Sequence, residues 1–163
     1  MVDKNTIANL QNFLRKQKCI IPEDFIVNYY ILTSENFISF ADCFSWLRIF
    51  RPGFLKTLKE SYKINIDYFE ISKEEEKSLS QINQEYFKVN SSRRKYYKLT
   101  IECFKKIAMS SNSEICKLTK IHYIEMERIV KDFSNFELNR LKFENNKLKN
   151  NLNPKKIKNT KGL

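Results

Sequence analysis

Lysine recurs at steps of three and four as Lys56, Lys59 and Lys63, beside an apolar stripe of Phe54, Leu55, Leu58 and Tyr62. On a helix over residues 52–63 that spacing sets ammonium groups along one ridge while the stripe packs inward. Arg51 stands at the head of this segment, the triplet Arg93, Arg94 and Lys95 follows later, and Lys105 and Lys106 come after that. Cations at such density have one characteristic chemistry, the neutralisation of phosphate oxygens. Each one seated on a nucleic-acid backbone releases condensed counterions, so the resulting affinity falls steeply with salt. Double-stranded DNA is the ligand expected for these nine side chains.

Other chemistries find little material. His122 is the sole histidine, and no carboxylate or cysteine stands with it in a recognised metal-ligand spacing, so it reads as structural. Cys19, Cys43, Cys103 and Cys116 are too irregularly placed for a zinc ribbon, a redox pair or a disulfide framework, and read as small core hydrophobes. With 2 Gly in the chain there is no phosphate-cradling loop and no nucleophile elbow. The expectation is a non-catalytic protein without cofactor or metal.

The formal charge of +11 is unevenly spread. Residues 1–92 hold 12 basic and 12 acidic side chains, whereas residues 93–163 hold 18 basic against 7 acidic and so carry the whole excess. A field so concentrated attracts polyanions; the alternative is that it serves solubility alone, in a composition rich in Lys, Asn and Ile. No stretch approaches the roughly 18 apolar residues needed to cross a bilayer, and Met1 to Leu10 lacks the pattern of a signal peptide. A soluble protein in a reducing compartment is expected, without a membrane partner.

The elements that must position these cations follow from periodicity. Ile7, Leu10, Phe13 and Leu14 predict a helix over 4–18, and Pro22, with Glu23 and Asp24 in a first turn, opens a second carrying Phe25, Ile26, Tyr29 and Tyr30. Residues 1–35 thus form a helical pair that packs on the core. A short β-like segment around Phe37 and Ile38 leads to Ser39 and Asp42, which resemble a capping box for a helix ending before Arg51-Pro52-Gly53. Helix, tight turn and basic helix describe a helix-turn-helix; they equally describe an ordinary corner between two helices.

Ile66 to Ile71 and Lys95 to Leu99 read as strands paired in a two-stranded antiparallel hairpin. The 72–94 connection begins with Glu74-Glu75-Glu76, has room for a helical turn around Leu79 and Ile82, and ends in a basic tip that reads either as a DNA-contacting wing or as a solvated loop. Thr100 is a plausible N-cap for a helix carrying Cys103, Phe104, Ile107 and Ala108. A long helix follows, with a seam of Ile115, Leu118, His122, Met126, Ile129, Phe133 and Phe136. The fold class is α+β, predominantly helical.

Past Phe136 a shifted seam of Leu138, Leu141, Asn145, Leu148 and Leu152 has the alternation of a short zipper, with Asn145 where a buried amide selects a parallel dimer. The alternative is that the same stripe docks on its own domain. Residues 36–136 form the central domain, 137–153 the coiled-coil extension that pairs the chain with another copy, and 154–163 a basic, disordered tail.

Two blocks together resemble a known family. The first is Ile38-Ser39-Phe40-Ala41-Asp42 through Trp46-Leu47, then Phe54-Leu55-Lys56 and Ile66-Asp67-Tyr68. The second is Lys95-Tyr96-Tyr97-Lys98-Leu99-Thr100, then Phe104-Lys105-Lys106-Ile107-Ala108-Met109 and Tyr123-Ile124-Glu125-Met126-Glu127. In this order they resemble the phage AntA/AntB antirepressor domain and its large-DNA-virus relatives, the MSV-type domains found alongside KilA-N and BRO proteins, over about residues 36–131. The resemblance implies DNA binding or regulation of viral gene expression, in the host cytoplasm or nucleus. It leaves a rival open, an antirepressor that binds another regulator protein without touching DNA.

Overall fold

The computed structural model describes residues 2–89 and 93–152. In chain order the elements are α1 (Lys4–Gln17), α2 (Glu23–Thr33), β1 (Phe37–Ser39), α3 (Phe40–Leu47), α4 (Arg51–Ser61), β2 (Tyr68–Ile71), α5 (Lys73–Leu79), a 3₁₀ turn (Glu85–Lys88), β3 (Tyr96–Thr100), α6 (Ile101–Ser110) and α7 (Glu114–Leu152). The architecture is α+β and mostly helical, as expected. Two compact units divide it, Met1–Tyr123 and Ile124–Leu163.

The expected hairpin is present but incomplete as a description of the sheet. β2 pairs antiparallel with β3, Tyr68 opposite Leu99 and Ile71 opposite Tyr96. The other edge of β3 is also occupied, by β1, with Ile38 opposite Leu99 and Ser39 opposite Lys98. The sheet therefore has three strands in the order β1-β3-β2 rather than two. The short β-like segment expected around Phe37 and Ile38 is β1 itself; its pairing with β3 is what pattern leaves out, because three residues are too short to announce a partner strand. β3 takes the centre because Tyr96, Tyr97 and Leu99 are all buried there.

Helices cover this sheet through aromatic contacts. The Phe40 ring lies 5.4 Å from both Phe54 and Tyr97. Trp46 packs against Phe25 at 5.1 Å and Phe104 at 5.7 Å, which ties α2 and α6 to α3. Such tilted and edge-on pairs contribute about 0.5–1.5 kcal/mol each beyond their burial. Leu10 and Leu14 of α1 are buried as well, so the N-terminal pair belongs to the core.

Ser39 caps α3 by accepting from the Asp42 amide at 3.4 Å. Arg48 ends α3 in the left-handed region, φ 53°, with its N–H returned to the carbonyls of Phe44 and Ser45. After Ile49 and Phe50, α4 begins with a proline in its first turn, where the missing N–H costs nothing. Helix, tight turn and helix are thus as expected, with one correction. α4 stops at Ser61 because Tyr62 is extended, so Lys63 lies beyond the helix and does not continue the Lys56–Lys59 ridge.

The 72–94 connection is likewise more ordered than a wing. Ser72 caps α5 by accepting from the Glu75 amide at 3.1 Å, and the 3₁₀ turn follows; Ile82 lies outside both. Asn90, Ser91 and Ser92 of the expected basic tip, and the whole 154–163 tail, lie outside the described residues. In α6 the Thr100 cap is present, its hydroxyl accepting from the Cys103 amide at 3.1 Å.

Along α7 the inward seam differs from the expected one. In the first unit Cys116 and Thr119 are buried while Leu118 is exposed. In the second unit Met126, Ile129 and Phe133 are buried, Phe136 is not, and every residue from Leu141 to Leu152 is exposed. No helix among the described residues is long and apolar enough to cross a membrane.

Candidate nucleic-acid interface

Two buried carboxylates build the ground on which the cations stand. Asp42 does not close a capping box; its side chain turns inward to the 80–83 loop. Its Oδ1 accepts from Ser80 Oγ at 2.7 Å and from the amides of Ile82 and Asn83 at 3.3 and 3.1 Å, while Oδ2 accepts from the Gln81 amide at 2.6 Å. Burial raises its pKa above the usual carboxylate value even against these donors. Glu76 of α5 accepts from the Tyr97 amide at 2.9 Å and from Ser39 Oγ at 3.2 Å, joining α5 to β3 and β1. Burial is the larger influence here also, and pushes this carboxyl up to about 7.

The loop held by Asp42 delivers Tyr86. Asn83 spans the gap, its side-chain amide donating to Ser45 Oγ at 2.6 Å and its carbonyl accepting from the Tyr86 amide at 3.3 Å. Tyr86 then organises two guanidinium groups. Arg51 Nε donates to its hydroxyl at 2.9 Å and Nη2 to the Lys95 carbonyl at 3.3 Å. Arg94 stacks over the ring at 4.4 Å and donates Nη1 to the Tyr86 carbonyl at 3.0 Å. A cation over an aromatic face is worth about 0.5–2 kcal/mol.

Around this clamp the cations converge. Arg51, Leu55 and Lys59 of α4 form one wall of an open groove of about 400 Å³, and Arg93, Arg94, Lys95 and Tyr97 on the approach to β3 form the other. Five of the expected nine positions therefore share one surface. Lys59 and Arg93 make no ion pair or hydrogen bond among the described residues. Lys95 faces Glu70 at 4.0 Å, a partly exposed pair of little energetic weight. Among the described residues no carboxylate lines the groove.

The other four cations lie elsewhere. Lys56 pairs with Glu60 at 3.9 Å on α4. Lys63 contributes its backbone N–H to Asp67 Oδ2 at 2.8 Å, fixing the turn before β2. Lys105 and Lys106 border a second open groove of about 760 Å³ with Tyr62, Ile101, Met109 and Tyr123, and Lys106 pairs with Glu102 at 2.9 Å.

No family model matches this chain, and neither a curated protein nor a solved structure matches it. Its chemistry is therefore read from its own side chains. Among the described residues no group of histidine, cysteine and carboxylate side chains is arranged to hold a metal ion. All four cysteines are free thiols. Burial raises the Cys43 thiol far above its ordinary value and pushes Cys103 up to about 12, so both are protonated and unreactive.

Pattern reading missed Asp42 as a loop organiser, Glu76 as a buried link, and Tyr86 as the clamp. Glu76 carried one signal: it stands three residues before Leu79, on the face of α5 that turns inward.

Proposed function

We propose that this chain binds double-stranded DNA through the groove between α4 and the start of β3, as a non-catalytic regulator. The observation that carries the reading is the convergence of Arg51, Lys59, Arg93, Arg94 and Lys95 around one groove that no carboxylate of the described residues lines. Arg51 and Arg94 are pre-oriented by Tyr86, so their donors lose little freedom on meeting a phosphate. Lys59 and Arg93 supply charge that no ion pair among the described residues consumes. The sequence resemblance to viral antirepressor-type domains favours a role in viral transcription or replication, in the host nucleus or at a cytoplasmic replication site.

Titration of labelled duplex DNA with the full chain tests this. Lys59→Ala combined with Arg93→Ala weakens binding while leaving the fold intact, whereas Lys63→Ala, outside the groove, has no effect. Equal affinity of the double variant and the parent rules the groove out.

A second reading is supported by the groove beside α6. Its apolar floor of Ile101, Met109 and Tyr123 is bordered by Lys105, Lys106 and Glu102, the last paired with Lys106, features suited to an amphipathic segment of another regulator whose acidic group meets Lys105 or displaces Glu102 from Lys106. That complex is distinguished by its dependence on Met109 and its indifference to Lys59 and Arg93.

A further inference from the structure

The last three turns of α7 are a marginal helix without a packing partner among the described residues. Asn145, Asn146, Asn150 and Asn151 are weak helix formers, and every residue from Leu141 to Leu152 is exposed. Along the same stretch Leu138, Leu141, Leu148 and Leu152 form one apolar line, at 51, 49, 58 and 79% exposure. With Asn145 they occupy alternating a and d positions of a heptad, Leu138, Asn145 and Leu152 at a, Leu141 and Leu148 at d.

The residues flanking the line carry a charge code. Of the three g positions that precede an a residue of this seam, Glu137 and Glu144 are acidic and Asn151 is neutral, while both e positions after a d residue, Lys142 and Lys149, are basic. We infer that the stripe is occupied by a second copy of this chain, parallel and in register. In that arrangement each g residue faces the e residue five positions on in the other strand. Glu137 then meets Lys142 of the partner subunit and Glu144 meets Lys149 of the partner subunit, each contact made twice by symmetry. An antiparallel pair sets g against g and e against e, so that glutamate faces glutamate and lysine faces lysine.

The single chain is already arranged for this pairing. Arg140, at a c position away from the seam, holds Glu137 at 3.0 Å and Glu144 at 2.9 Å. Both g carboxylates are thereby kept in place along the helix, while Lys142 and Lys149 make no ion pair among the described residues. Asn145 fixes the register. In register its amide meets its own counterpart across the axis; a slip by one heptad sets it against Leu138 or Leu152, with the amide unpaired in an apolar layer.

Sedimentation of the full chain without DNA tests the pairing separately from the DNA reading. A dimer that dissociates on dilution is expected, and Leu141→Asp with Leu148→Asp abolishes it without changing the fold of the first unit. Lys142→Glu with Lys149→Glu weakens self-association by roughly tenfold. A second chain carrying Glu137→Lys, Arg140→Glu and Glu144→Lys, which keeps its internal pairs with reversed sign, restores pairing when the two variants are mixed. For orientation, Leu152→Cys in a Cys19→Ser background forms a 152-to-152 disulfide in the parallel coil. A monomer at all concentrations overturns the proposal, as does a dimer unaffected by the aspartates. A dimer that fails to form the 152-to-152 disulfide overturns its orientation.

Discussion

Loss of Lys59 and Arg93 should be read most clearly in the salt dependence of binding. If Arg51, Lys59, Arg93, Arg94 and Lys95 each meet a phosphate, the log–log slope of affinity against salt is about −4.5 for one groove. Raising salt from about 50 to about 200 mM then weakens binding about 500-fold. With Lys59→Ala and Arg93→Ala three contacts remain, the slope falls to about −2.7, and the same step in salt costs about 40-fold. A dimer engaging two grooves doubles each slope, and the difference between parent and variant doubles with it. Fluorescence anisotropy of a labelled duplex over a salt series measures both quantities. These two side chains are the suitable ones to remove because they make no hydrogen bond or ion pair among the described residues; urea melts followed through Trp46, the sole tryptophan and a buried one, should superimpose for parent and variant. An unchanged slope in the variant would refute the reasoning, whatever the absolute affinity.

Other substitutions report on the scaffold. Glu76 titrates at about 7 in the fold instead of near 4.5, so the folded state holds its proton more tightly; the associated stability is fully present below about pH 4.5 and lost as pH rises through 7. That amounts to about 3 kcal/mol, and in urea melts across pH 4 to 8 the Glu76→Gln variant should lack this component; parallel profiles would contradict the assignment. Asp42→Ala strips acceptors from Ser80, Gln81, Ile82 and Asn83 and should cost about 3 kcal/mol or more, measured by the same melts. Tyr86→Ala should lower both stability and DNA affinity, because Arg51 and Arg94 lose their common support. Arg48→Gly relieves a left-handed backbone at the end of α3 and should be neutral to stabilising by about 0.5 kcal/mol in thermal unfolding.

How far the chain is legible depends on the range of each contact. Thr100 as a cap, Pro52 in a first helical turn and the buried Phe54 and Leu58 of α4 are decided within one or two turns of chain, and all are present, whereas Tyr62 of the expected stripe falls beyond the helix. Asp42 looked like a local cap because its spacing from Ser39 is three. Its actual partners lie about forty residues on, and no periodicity announces them. Glu76 was hidden in a run of three glutamates that resembles a solvated face. The α7 seam was displaced because Thr119 and Cys116, not the larger Leu118, turn inward. Half the groove was visible as a basic triplet and half as a helical ridge, but only the fold shows that Lys56, Lys63, Lys105 and Lys106 do not join them.

The position of β3 has a temporal consequence. Both outer strands precede it in the chain, so a polypeptide emerging from the ribosome has β1 and β2 long before anything can lie between them. Until Thr100 is out, Phe37 to Ser39 and Tyr68 to Ile71 expose unsatisfied edges, and Glu76 has no Tyr97 to receive. Closure of the sheet and completion of the cationic cleft are thus a single late event, during which the nascent chain is most open to capture by chaperones or to mispairing with a neighbour.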